Sequence, residues 1–196
     1  VSLGPKFFAK EENFGKDFHW AVNGPWKLSS DMNDWNNYWS KDDSLIRTEI
    51  GCPGPSSALL IKKYSGKIST LPCNPENQLW ARNPWWCEWE EYLKENKKEP
   101  QDLEDYVAWG QKRQADALYI ALKRCKERFP SNACVILWMG HDCFPCTANT
   151  SIMDYEGDFK PAAYEIKDIL TYKYCRDKSR LVQTEKDSSQ YDYKKK

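Results

Sequence analysis

The longest regular pattern in the chain is a stripe of apolar positions spaced three and four apart. It runs from Leu103 through Tyr106, Val107, Gly110, Ala117, Leu118, Ala121, Leu122 and Cys125 to Phe129, with Gln114 as its polar exception. That spacing predicts one amphipathic helix with a single buried face. Pro130 ends it. A short turn then leads into "CVILWMG", residues 134–140, an unbroken apolar run. Such a run predicts a strand covered on both faces, as in a parallel sheet.

Upstream, "SLIRT" at 44–48 predicts a short strand that ends at Glu49. Gly51, Pro53, Gly54 and Pro55 then interrupt any regular element. Ser56 or Ser57 is placed to cap a helix through Ala58, Leu59, Leu60, Ile61 and Tyr64. Downstream, "IMDYEGDFKPAAYEIKDIL" predicts a short strand, a turn at Gly157 and a helix with Pro161 near its first position. The alternation of strands and helices predicts an α/β fold with a parallel sheet and outer helices. Two strands do not complete a sheet, so the chain reads as a piece that needs more chain. In a (β/α)8 barrel, chemistry sits at the carboxyl ends of the strands. Glu49 and the segment Trp138 to Asp142 hold such positions.

Two stretches lack sustained periodicity. Residues 1–43 are rich in Gly, Asn, Asp and Trp and read as long loops around one short strand near Phe18 to Val22. Residues 66–100 carry Pro72, Pro75, Pro84, Pro100 and the cluster "NPWWCEWEEYL". An excursion of that length inside a compact domain is usually functional.

Charge removes some partners. The 29 basic and 29 acidic residues cancel. No basic excess exists to neutralise phosphates, which argues against nucleic acid. The terminal Lys194, Lys195 and Lys196 read as a solvated end. No apolar run approaches the roughly 18 residues of a membrane span. There is no secretory apolar segment at the start and no initiator Met, so the chain reads as an excerpt or a processed piece.

Aromatics add a positive hint. Ten Trp and eleven Tyr exceed what a core of this size needs. Sugar rings pack their C–H faces on exposed aromatic rings, although some of these Trp are core. Eight Cys at 52, 73, 87, 125, 134, 143, 146 and 175 are irregularly spaced. Only Cys143 and Cys146 form C-x-x-C, without a second pair to complete a zinc site. Most read as free thiols. The two His, His19 and His141, make no zinc-hydrolase motif, and no G-x-S-x-G or phosphate loop is present. A Cys143 nucleophile would need His141 as its base, and closeness in sequence does not orient one.

Aromatic surfaces with a positioned carboxylate fit glycoside hydrolysis. Retaining enzymes use two carboxyls about 5–5.5 Å apart. Arg47, two residues before Glu49, is expected on the same strand face, where it would keep Glu49 ionised. The plainer reading is a surface Arg–Glu pair of little energetic weight.

Several segments in order resemble glycoside hydrolase family 2, in its β-mannosidase-like members. "IRTEIGCPGPS" is similar to the family's nucleophile segment, and "QKRQADALYIALKRCKERFP" to its penultimate barrel helix. "LWMGHDCFP" resembles the last strand, Trp-x-x-Asn-Asp-x-Trp-Pro. "MDYEGDFKPAAYEIKDIL" resembles the closing helix, and "KDFHWAV" the family's Asp-x-His-Tyr-Trp stretch. The resemblance spans about residues 15 to 170. It implies the C-terminal portion of a (β/α)8 TIM barrel over residues 1–172, with 173–196 a charged tail or the start of another domain. Glu49 would be the catalytic nucleophile. Trp138 would floor the sugar subsite, Asp142 would bind or orient substrate, and His19 and Trp20 would lie at its rim. Arg47 and His141 complete the expected substrate-binding set. His141 stands where the family has Asn, Phe144 where it has a second Trp, and the His-Tyr-Trp stretch lacks its Tyr.

The family's acid/base follows an Asn, and this chain has no Asn-Glu dipeptide. It would lie upstream, on a strand this chain lacks. The resemblance thus implies half of a catalytic pair, a carbohydrate substrate and no cofactor. It implies upstream barrel strands and β-sandwich domains as intramolecular partners. A secreted, periplasmic or lysosomal setting would suit it better than the nucleus. Exo-β-glucosaminidase, β-galactosidase and β-glucuronidase would share the scaffold. A non-catalytic carbohydrate-binding piece is the reading from another class.

Overall fold

The computed structural model describes residues 21–28 and 31–171. His19, Trp20, most of the strand expected near Phe18 to Val22, and the tail at 173–196 lie outside the described residues. The sheet has three strands, β1 (Ala21–Asn23), β2 (Ile46–Ile50) and β4 (Cys134–Leu137), in the order β1-β2-β4. All neighbours are parallel. The parallel pairing of the strands expected at 44–48 and 134–140 is therefore observed. β2 is shifted two residues along the chain, so Glu49 lies within the strand instead of just past it. Among the described residues the sheet does not close on itself.

Helix α1 (Met32–Lys41) connects β1 to β2. The Asn- and Asp-rich composition of this stretch predicts loop, and it is helical. Its Asp31 side chain caps the first turn by accepting from Asn33 N and Asp34 N at 2.8 and 2.9 Å. Trp35 and Trp39, one turn apart, supply its buried face. The Trp35 indole donates to Ala117 O at 2.9 Å.

Past β2, Gly54–Pro55 forms the short strand β3. Helix α2 (Ala58–Tyr64) follows, capped by Ser57, whose hydroxyl accepts from Leu60 N. The excursion then folds into two 3-10 turns, Trp80–Arg82 and Pro84–Trp86, and helix α3 (Trp89–Asn96). Helix α4 (Leu103–Glu127) is the predicted long helix, and α5 (Pro161–Thr171) starts on Pro161 as its sequence signalled. The strand expected around Met153 is reduced to single bridges to His141 and Phe159. Strand β5 (Ala148–Asn149) forms before it and pairs antiparallel with β3.

Two apolar clusters meet on opposite halves of α4. One joins Trp35 and Trp39 of α1, Ile50, Leu118, Leu122 and Ile166 between the sheet and helices α1, α4 and α5. The other joins Trp80, Trp89, Tyr92, Tyr106 and Val107 under the excursion. The excursion is thus a small core of its own, seated on the first turns of α4. The stripe ends earlier than expected, because Phe129 is exposed.

β4 departs from its sequence expectation. Val135 and Leu137 pack on the helical core, but Ile136 on the other face is 51% exposed. Cys134 is exposed on that face too. An apolar run implies cover on both faces, and the described residues supply only one.

Arg47 crosses the helical side of the sheet, fully buried. Its Nη2 pairs with Asp42 and donates to Tyr38 Oη at 3.1 Å, and its Nη1 donates to Gly24 O at 2.7 Å. The guanidinium lies 4.8 Å from the ring centre of Trp39. Arg128, just past α4, also pairs with Asp42. Burial raises the Asp42 carboxyl, but Arg47 and Arg128 more than offset it and hold it below its ordinary value. Replacing Arg47 by Met leaves a buried carboxylate short of its main partner. We expect a loss of about 3–5 kcal/mol in chemical denaturation. With a depressed native value, the stabilisation by Asp42 is complete above the unfolded pKa of 3.8 and lost as pH falls through the lower native one. Acid denaturation of Asp42→Asn should accordingly lose part of the parent's slope below that pH.

Candidate active site

Parallel strands bring their carboxyl ends to one edge. In register, Asn23 of β1 is opposite Glu49 of β2, and Ile50 is opposite Leu137 of β4. Trp138 N donates to Ile50 O at 2.7 Å, and Gly24 N donates to Glu49 O at 2.6 Å. Glu49 and Trp138 therefore sit side by side at this edge. The Trp138–Met139 peptide is cis.

A bulge in β2 decides which way Glu49 faces. Arg47 is opposite Val135 and Ile50 opposite Leu137, so three residue steps on β2 match two on β4. Arg47 and Ile50 both face the helices. Thr48 and Glu49 occupy the space that regular alternation gives to one residue. Thr48 Oγ1 bonds Asn23 Oδ1 and also Val22 O, at 3.3 Å to the latter. Glu49 is thereby turned to the open face, half-buried, on the side of β4 that carries Ile136. Arg47 and Glu49 do not share a face, contrary to the period-two expectation. Arg47 holds Asp42 and does not touch Glu49. Its expected place in the substrate-binding set gives way to a structural one, because it is closed off from solvent.

The loops leaving β2 and β4 form one unit. β3 in the first pairs with β5 in the second. The Gln114 amide, the polar exception of the α4 stripe, donates to Cys52 O and Ser151 O, both at 2.9 Å. Gly51 and Gly54 matter through close approach. A Cβ on Gly51 would lie 2.5 Å from Trp138 O, and one on Gly54 would lie 2.2 Å from Gln114 Oε1. Asp142 is fully buried, its Oδ1 accepting from Asn149 Nδ2 at 2.9 Å. Its Oδ2 lies 3.9 Å from Lys160 Nζ. The burial of Asp142 removes it from direct contact with a substrate in this conformation. His141 beside it is exposed, and Trp138 is 46% exposed.

Next to Asn23, a cleft of about 630 Å³ is lined by Pro25, Trp26, Lys27, Tyr38, Trp85 and Trp86. Lys27 ties its two sides together, donating to Cys87 O at 3.1 Å and pairing with Glu91 at 3.3 Å. Trp85, at the tip of the excursion, is 73% exposed. A carboxyl of raised pKa, Glu88, lies behind this tip. Burial pushes it up to about 7 against the pull of Arg113 and Lys27. At 3% exposure it is closed to a substrate and is no acid/base partner for Glu49 in this conformation.

The structure thus brings Glu49 and Trp138 to one edge. It sets His141 outside on the following loop, and puts Arg47 and Asp142 in the interior. Sequence reading did not single out Asn23, Lys160 or Glu88. Lys160 stood inside a segment of family resemblance, immediately before a helix-starting Pro, which was its available signal.

No protein-family model matches the sequence, and no curated protein matches it. Among solved structures the chain is similar to the β-D-mannosidase of Dictyoglomus thermophilum, with a TM-score of 0.57 and 22% identity over 74% of this chain. That match spans 18% of the mannosidase chain. The chain is also similar to an endo-1,4-β-xylanase of Penicillium canescens, with a TM-score of 0.41 and 15% identity over 76% of this chain and 35% of that one. Both are glycoside hydrolases. The first likeness shows that this chain shares its fold with a segment of such an enzyme.

The approach of Gly51 to the Trp138 carbonyl is backbone against backbone and has no flexible atom to yield. Gly51→Ala should therefore part β2 from β4 at the site edge, at about 1–3 kcal/mol. Thermal unfolding of the variant against the parent measures it, and an unchanged midpoint would show that the edge is not close-packed.

Proposed function

We propose that this chain is part of a retaining exo-β-glycosidase, β-mannosidase-like, that removes terminal β-linked sugars by double displacement. In this reading the three-stranded sheet is a sector of a (β/α)8 barrel. Upstream chain completes the barrel and supplies the acid/base carboxyl. The observation that carries the reading is the bulge that turns Glu49 to the open face at the carboxyl edge, beside the partly exposed Trp138.

The chemistry follows from that placement. The Glu49 carboxylate attacks the anomeric carbon while the glycosidic C–O bond breaks. The departing oxygen takes a proton from the upstream acid. The resulting glycosyl ester is opened by water, whose proton returns to the same upstream carboxylate, and the sugar leaves with its configuration retained. Trp138 offers a ring face for the sugar. Asn23, opposite Glu49 in register, is placed to donate to a sugar hydroxyl.

A second reading rests on the aromatic cleft. Trp26, Trp85 and Trp86 would suit a non-catalytic carbohydrate-binding piece, with Glu49 as a ligand contact. The two readings separate on turnover.

The test uses the full-length protein and an activated aryl β-glycoside. Glu49→Ala should lower kcat by about 10⁴-fold or more, because the covalent intermediate cannot form. Glu49→Gln should be similarly inactive, since it keeps the shape without the charge. Azide should restore turnover to Glu49→Ala and yield a glycosyl azide of inverted configuration, formed by attack from the vacated face. The isolated 196 residues should show no turnover in the same assay, lacking the upstream strands that complete the barrel in this reading. Near-parent activity of Glu49→Ala without azide would remove Glu49 from the mechanism. Sugar binding without turnover by the parent would favour the binding reading.

A further inference from the structure

Lys160 lies immediately before α5 and is 2% exposed. Its Nζ donates to Gly54 O and to Ser151 Oγ, both at 2.9 Å. Asp142 Oδ2, 3.9 Å away, has no hydrogen-bond partner of its own among the described residues. One ammonium group thus touches the loop leaving β2, through Gly54, and the loop leaving β4, through Ser151 and Asp142. We propose that Lys160 is a positioning residue for the reaction at Glu49, a charged clasp that sets the spacing between Glu49 and Trp138. The proposal rests on the glycosidase reading.

The connection runs through a few short links. Met153 N donates to Gly140 O at 3.0 Å, and Asp142 N donates to Met153 O at 3.2 Å. The turn that follows Trp138 is therefore fixed to the 151–153 segment. Lys160 N donates to Ile152 O at 2.9 Å, so backbone and side chain of one residue both hold that segment. Through Gly54 the same side chain holds the loop that begins at Gly51, where β2 meets the Trp138 carbonyl. Gln114 joins the same two loops by neutral hydrogen bonds. Of the two, Lys160 also meets the buried Asp142 carboxylate.

The clasp titrates. Burial pulls Lys160 down to about 8, against the upward pull of Asp142, Cys146 and Asp154. Asp154 is engaged in its own turn, accepting from Glu156 N at 3.0 Å and Asp158 N at 3.1 Å. Above that pH the clasp loses its proton and the Asp142 carboxylate loses its cation. Stability moves the other way. The native value lies below the unfolded 10.5, so between the two the native state binds fewer protons and Lys160's contribution to stability rises with pH. An alkaline loss of activity without a matching loss of stability is the signature of a positioning group.

The experiment measures kcat and KM of the full-length protein from pH 6 to about 9.5 on a dinitrophenyl β-glycoside, whose departure needs no acid. For the parent we expect kcat to fall through about pH 8 with KM nearly constant. Lys160→Met should lower kcat at neutral pH by about 10- to 100-fold, keep KM within about threefold, and lack that alkaline limb. Asp142→Asn removes the anion that retains the proton, so its limb should move to lower pH. It carries the test if Lys160→Met does not fold. A Lys160→Met enzyme with the parent's kcat and limb, or an Asp142→Asn limb that does not move, overturns the proposal. Absence of turnover in the parent overturns the glycosidase reading instead. The clasp is then judged by amide hydrogen exchange. Lys160→Met should lose protection at 51–57 and 140–153 while α4 keeps it, and unchanged protection there overturns the clasp.

Discussion

The elements on the helical side of β1 and β2 meet at one buried guanidinium. Arg47 reaches Gly24 on the exit of β1, Tyr38 and Trp39 on α1, and Asp42 after it. Through Asp42 it also meets Arg128 at the end of α4. Desolvating these charges is expensive, and an apolar replacement of equal volume often matches such a pair in stability. What an apolar group would not give is direction. Arg47 donates to three different segments and so fixes the exit of β1 against β2. It also creates a conflict, because a residue that faces the helices sends the residue two further on the same way. The bulge at Thr48 and Glu49 resolves the conflict by turning the second carboxylate-bearing position to the open face.

That conflict explains why the site was half legible in the sequence. Apolar spacing located α4, the two parallel strands and the capped α2, because burial on one face leaves a periodic trace. A bulge leaves none. "IRTEI" alternates perfectly well as text, and only the partners of Arg47 and Ile50 reveal the extra residue. Helix α1 was hidden for a different reason. Its exposed face is Asn-rich, and Asn reads as loop, while two Trp one turn apart and the Asp31 cap were its actual signal. Asp142 looked like a substrate contact beside Trp138, yet its environment depends on Lys160 and Asn149, which come from later in the chain.

The excursion shows how a long segment without periodicity becomes ordered. Tyr106 and Trp109 of α4 stand against Trp89 and Tyr92 of α3, with ring centres 5.1 to 6.3 Å apart across the cluster. Tyr92 also donates its hydroxyl to Asp105, in the first turn of α4, at 3.0 Å. Aromatic contacts of this kind each contribute about 0.5–1.5 kcal/mol beyond area burial. They anchor the base of the excursion and leave Trp85 free at its tip, next to the strand edge. The Trp excess of the composition therefore divides into a buried anchoring set and an exposed set.

The open face carries the last constraint. Cys134 and Ile136 occupy it on β4, with Trp138 just past the end of that strand, and Glu49 occupies it on β2, while β1 and β4 each end the sheet among the described residues. Purely parallel sheets are found covered on both sides, since crossover helices take one face and a barrel or further helices take the other. Bare sheet edges also invite pairing with other strands. Covering this face with more chain would bury Ile136 at about 25 cal/mol for each Å² removed from water. The same act would carry the Glu49 carboxylate from a half-exposed surface to the lining of a mouth. A carboxylate there needs polar partners, because an unpaired buried charge shifts toward its neutral form. Neither Arg47 nor Asp142 can serve on that side. In the glycosidase reading proposed above, polar partners for Glu49 and the acid that works with it would come from the covering chain, and the open face is where they would approach.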